Sequence, residues 1–85
     1  MEQKAAILIQ FFGMQRTVTK TDSIFMPITE KTSVTDALEY VRRQYPSLHL
    51  DKRMVRVTVN HEMVSLDTLL RANDTVGFLP HIGGG

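Results

Sequence analysis

The chain has no cysteine and no tryptophan among its 85 residues. Without cysteine there is no disulfide scaffold, no thiolate metal site and no cysteine nucleophile, so any sulfur chemistry must run through another group. Long apolar runs are also missing. Ala5 to Ile9 is broken by Gln10, too short for a signal-peptide core or a bilayer span, which makes a cytoplasmic protein with no membrane partner the expectation. Neither charge sign dominates, since ten Lys and Arg meet nine Asp and Glu. The local basic stretch of Arg42, Arg43, Lys52, Arg53 and Arg56 faces only Asp51 and carries no interleaved aromatics. It reads as a solvated face, with no nucleic acid bound. His49, His61 and His81 lie in three segments without ligand spacing, so no metal site is expected. What remains, 42% hydrophobic and 22% charged residues, is the composition of one small soluble domain.

Ile7, Ile9 and Phe11 alternate with Leu8, Gln10 and Phe12, predicting a strand over Lys4 to Phe12 whose odd positions face the core. Gly13 breaks it, and the polar stretch Gln15 to Asp22 carries turn formers, so a long hairpin into a second strand, Ser23 to Ile28, is expected. Pro27 puts that strand at a sheet edge or lies near the strand's end. From Ser33 to Tyr45 the residues Val34, Ala37, Leu38, Val41 and Tyr45 recur at helical spacing. Ser33 is the candidate N-cap, accepting from the Asp36 amide, and Pro46 stops the helix. Val55, Val57 and Val59 alternate with polar residues as a third strand. A tight turn at Asn60, His61 and Glu62 leads to a short strand, Met63 to Ser65. Residues 66–72 then cross to a last strand, Thr75 to Leu79, ended by Pro80. No repeat or linker divides the chain. This order predicts an α+β fold, a mixed sheet with one main helix packed on one face, for which the β-grasp (ubiquitin-like) arrangement fits best. Residues 1–80 form the expected domain and 81–85 a flexible tail.

That tail ends in Gly83-Gly84-Gly85. Residues 81–85 can reach roughly 16–18 Å when extended, and glycines let the backbone and a terminal carboxylate pass a channel too narrow for side chains. With Phe11-Phe12-Gly13 and Arg16, Ser33-Val34-Thr35-Asp36-Ala37-Leu38, Val59-Asn60-His61-Glu62-Met63-Val64, and Asp74-Thr75-Val76 through to Gly85, the chain resembles molybdopterin synthase small subunits and thiamine sulfur carriers, the MoaD/ThiS family of ubiquitin-like proteins. The likeness covers essentially the whole chain. Three positions depart from the pattern: Gly83 stands for a small or hydroxyl residue, Thr17 for an acidic one and His81 for a second proline.

The resemblance implies that the Gly85 carboxylate, presented beside Gly84, is adenylated and then converted to a thiocarboxylate. The carrier then contributes no catalytic side chain and is no enzyme by itself. It binds no cofactor of its own; ATP is used by a ubiquitin-activating-like adenylyltransferase, and the sulfur comes from a persulfide donor. The opening Phe-Phe-Gly favours the molybdopterin branch, with a synthase large subunit as partner in a heterotetramer and the dithiolene of a molybdenum or tungsten cofactor as product. A carrier for thiamine or another sulfur-containing metabolite, and a ubiquitin-like modifier or interaction module, remain as alternatives. Strand parity puts Phe12, Met63 and Leu79 on the face opposite the helix, the partner-contact positions of the family, and Pro80, His81, Ile82 and Gly83 extend that contact along the tail.

Overall fold

Alternation of apolar and polar residues does what it predicts in the central strands. The structure, a computed structural model, describes residues 5–51, 53 and 55–79. Among these, β1 (Ala5–Gln10), β2 (Ser23–Ile28), β3 (Arg56–Val59), β4 (Glu62–Val64) and β5 (Thr75–Leu79) form one sheet in the order β2-β1-β5-β3-β4. β1 and β5 run parallel in the middle, and the other pairs are antiparallel. The expected mixed sheet of the β-grasp fold is therefore present. β2 occupies an edge, with Pro27 exposed where no ladder donor is needed.

The main helix, α2 (Val34–Gln44), packs its apolar stripe on one sheet face. Val34, Ala37, Leu38 and Val41 are wholly buried together with Ile7, Ile9, Val76 and Phe78. Its N-terminus carries a full capping box: Ser33 Oγ accepts from the Asp36 amide at 3.3 Å, and Asp36 Oδ2 accepts from the Ser33 amide at 2.8 Å. The crossing segment satisfies two further first-turn amides, since Val34 N–H donates to the Thr68 carbonyl and Thr35 N–H to the Leu66 carbonyl, each at 2.9 Å. Tyr45 closes the helix and meets Phe11 edge-to-face at 5.6 Å.

The long hairpin expected over residues 15–22 is not what forms. A short helix, α1 (Met14–Thr19), stands there. Gly13 turns the chain at φ 54°, and Lys20 ends the helix in the left-handed region at φ 62°, donating to the Arg16 carbonyl at 2.8 Å. The helix escaped notice because its inward residues, Gln15 and Thr19, are polar, while apolar Met14 and Val18 face outward. Boundaries also move. The β1 ladder stops at Gln10, short of Phe12, β3 begins at Arg56 and not Val55, and β4 runs Glu62–Val64, with Glu62 beginning the strand instead of closing the turn and Ser65 left outside it. That turn is a two-residue one, with Asn60 at φ 53° and His61 at φ 71°, as a type I′ hairpin requires.

No helix among the described residues is long and apolar enough to cross a membrane. The proposed domain boundary at 80/81 falls outside the described residues.

Candidate functional site

The helix covers one sheet face, so the other is where a partner could sit. Register defines its rows. Directly paired residues share a face, so Met63, Thr58, Gly77, Gln10 and Ser23 form one row across all five strands. Thr75, Leu8 and Phe25 form the next row on one side, and Arg56 with Leu79 the next on the other.

Phe12, Met63 and Leu79 all lie on this open face, exposed by 41%, 55% and 37%. The Phe12 ring covers Gly77 closely: a β-carbon there would stand 2.7 Å from Phe12 Cε2 and 3.0 Å from Thr58 Oγ1. Gly77 is thus the floor on which the ring rests, with Thr58 and Met63 to one side and Leu79 two residues further along β5. Phe25, 73% exposed, extends the apolar surface toward the edge strand. Arg56, exposed opposite Leu79, supplies a cation on the same face.

Three of these features were missed in the sequence. The parity argument used for Phe12 also applies to Phe25, one residue before buried Met26, and would have found it. A glycine inside a strand pattern signals close approach, and Gly77 is such a residue. Gln15 gave no signal, because a single glutamine in a polar stretch looks solvated. It is buried, accepting from the Phe12 amide through Oε1 at 3.0 Å and donating from Nε2 to the Phe78 carbonyl at 2.7 Å.

Pro80, His81, Ile82, Gly83, Gly84 and Gly85, assigned in the sequence to partner contact and to the reaction, lie outside the described residues. No group of histidine, acid or cysteine side chains able to hold a metal occurs among the described residues. His49 and His61 are both exposed. The Arg53 amide donates to Asp51 Oδ1 at 2.9 Å, with its guanidinium 3.5 Å from Oδ2. That backbone bond, followed by the side-chain one, holds the Asp51 carboxyl below its usual range.

No curated protein matches the sequence. Solved structures do. SAMP1 from Haloferax volcanii superposes with a TM-score of 0.78 at 20% identity, over 94% of this chain and 99% of that one. A candidate molybdopterin converting factor subunit 1 from Pyrococcus furiosus gives 0.78 at 22% identity, over 92% and 99%. A chain of the BexX/CysO complex from Amycolatopsis orientalis gives 0.66 at 21% identity, over 93% and 99%. At such identities these likenesses speak for the β-grasp, ubiquitin-like fold alone. The family is carried by the sequence itself: the model of the ThiS family matches residues 9–85, nearly the whole length, and the chain belongs to the ThiS family.

Proposed function

We propose that this protein is a sulfur carrier whose Gly85 carboxylate becomes a thiocarboxylate, acting as the small subunit of a molybdopterin synthase. The observation that carries this reading is the reach of the family match, which runs through the triple-glycine end to Gly85. β5 delivers the chain toward that end from the centre of the sheet, beside an exposed apolar face suited to docking.

A carboxylate is a poor acyl donor, so the first step makes a leaving group. A Gly85 oxygen attacks the α-phosphorus of ATP on a ubiquitin-activating-like adenylyltransferase, and pyrophosphate departs. The terminal sulfur of a persulfide donor then attacks the acyl carbon and expels AMP. A thiol cleaves the resulting sulfur–sulfur bond, taking the donor's sulfur into a disulfide and leaving the thiocarboxylate on Gly85. Its sulfur is a stronger nucleophile than a carboxylate oxygen and attacks a precursor held by the synthase large subunit. The role of this chain is to dock through Phe12, Met63 and Leu79 and to place the terminus, with Pro80, His81, Ile82, Gly83 and Gly84 lying along the path. This chemistry asks for no catalytic side chain, metal or bound cofactor from the carrier.

The test is intact mass after incubation with the activating enzyme, ATP and a persulfide donor. A gain of about 16 Da, sulfur replacing oxygen, is the expected result, followed by loss of that gain when the large subunit and its precursor are added. Likeness to SAMP1, described as a small archaeal modifier protein, favours a second reading as a protein modifier. High-mass conjugates in place of the mass gain would establish that one instead.

A further inference from the structure

In a parallel ladder the hydrogen-bond pattern repeats every two residues along each strand. Leu8 N–H donates to the Asp74 carbonyl at 2.9 Å, in register with the pairs Leu8 with Thr75 and Gln10 with Gly77. Two repeats further, the Phe12 amide should meet the Phe78 carbonyl. It does not. The Phe12 amide donates to Gln15 Oε1 at 3.0 Å, and Gln15 Nε2 donates to the Phe78 carbonyl at 2.7 Å. A side-chain amide from α1 has been inserted into the rung, with both its acceptor and its donor used and only 6% of the residue exposed.

The insertion separates β5 from β1 by the width of an amide where β1 has already ended. Past Gly77 the strand is held on one side by β3, through Phe78 with Val57 and Leu79 with Arg56, and on the other, among the described residues, by the hydrogen bond from Gln15. The backbone at Phe78 and Leu79, from which the chain continues toward Gly85, is thus set between the β3 ladder on one side and the Gln15 side chain on the other. We infer that Gln15 is a positioning residue for the C-terminal arm, a wedge that sets the direction in which the chain leaves β5 and so the point from which the reacting end is offered to a docked partner. This rests on the sulfur-carrier reading above for its reaction, though the wedge itself stands on hydrogen-bond geometry.

Gln15→Glu separates aiming from docking. The ionised carboxylate still accepts from Phe12 N–H but sets an anion against the Phe78 carbonyl, whereas the protonated acid can again donate to it. Burial and the facing carbonyl both raise the acid's pKa, so recovery should come as pH falls from 8 toward 6. Pyrophosphate exchange with the activating enzyme is measured for variant and wild type at each pH, and the ratio of the two removes the enzyme's own titration. At pH 8 the variant should lose tenfold or more in kcat, with KM for the carrier within about twofold because the docking face is unchanged. The ratio should climb toward one at pH 6. Gln15→Met, which fills the space without either hydrogen bond, should show the kcat loss at every pH. A Gln15→Glu ratio near one throughout, or equal losses in kcat and KM with no recovery, overturns the inference.

Amide residual dipolar couplings give a second readout that needs no partner. In Gln15→Glu the Phe78 and Leu79 vectors should turn with pH while those of α2 stay fixed; unchanged vectors would also overturn the wedge. If wild type itself is not activated, the functional reading fails, and the couplings still decide whether Gln15 sets the direction of the chain.

Discussion

At the scale of single residues, the open face depends on a side chain that is absent. Gly77 leaves room for the Phe12 ring, and any β-carbon there meets Cε2 at 2.7 Å before it meets backbone. Gly77→Ala should therefore displace the ring, costing on the order of 1–3 kcal/mol as overpacking does. Phe12→Ala removes what the new methyl strikes, so the double variant should be less destabilised than the sum of the singles by at least about 0.5 kcal/mol. Urea unfolding of the four proteins measures this; strict additivity would mean that the ring does not rest on Gly77. A second residue-scale expectation concerns Asp51, whose carboxyl is lowered first by the Arg53 amide and then by its guanidinium. A pKa lower in the folded protein than in the unfolded one means that the contribution is fully present above the unfolded carboxylate range, and is lost as pH falls through the lowered value. Side-chain carbon shifts of Asp51 should titrate below the ordinary aspartate range, and Arg53→Ala should move the midpoint upward while the backbone amide bond remains.

At the scale of elements, α2 and α1 show what a sequence can and cannot disclose. α2 was legible because each local device agreed: the apolar stripe at helical spacing, the serine cap, the aspartate three residues on and the proline beyond the end. Ser33→Ala removes one half of the capping box and should cost about 1 kcal/mol, within a range of about 0.5–2. Thermal unfolding checks it, and an unchanged midpoint would mean that the crossing segment's carbonyls at Leu66 and Thr68 suffice to hold the first turn. α1 was illegible because it buries polar residues and exposes apolar ones, so the periodicity that announces a helix points the wrong way. Only after the chain is folded does Gln15 find the Phe12 amide and the Phe78 carbonyl, 63 residues apart in sequence for the latter pair, and such a contact leaves no local trace. The strands fared better. β5 was read to the residue because its hydrophobic alternation and its proline bound it, while Pro27 left β2 either at an edge or with the proline near its end, and both hold. The open face was found through parity at Phe12, Met63 and Leu79, and Phe25 was passed over where the same parity held.

At the scale of the whole molecule, the proposed function divides the chain into a surface that docks and an end that reacts, and the two should fail independently. Leu79 sits on the open face at the point where β5 ends, so Leu79→Asp places a charge in the docking area and should weaken large-subunit binding by about 2 kcal/mol or more, as a central apolar contact does. Deleting Gly85 leaves that face untouched but draws the carboxylate back by about 3.5 Å, against a tolerance near 1 Å before rates fall on the order of a hundredfold. The shortened chain still ends in glycine, so a loss would report position and not residue type. Appending one alanine moves the carboxylate outward by a similar step and adds a methyl group where a narrow channel has no space. Both length variants should unfold at the wild-type urea concentration and bind the large subunit with wild-type affinity by calorimetry, yet neither should support adenylate-dependent pyrophosphate exchange or gain sulfur by intact mass. Leu79→Asp should show the opposite pattern, impaired binding with exchange restored when the activating enzyme is raised to compensate. Should either length variant be activated at the wild-type rate, the end of the chain is not a placed acyl group, and a ubiquitin-like interaction module, in which the sheet face alone carries the function, becomes the better account.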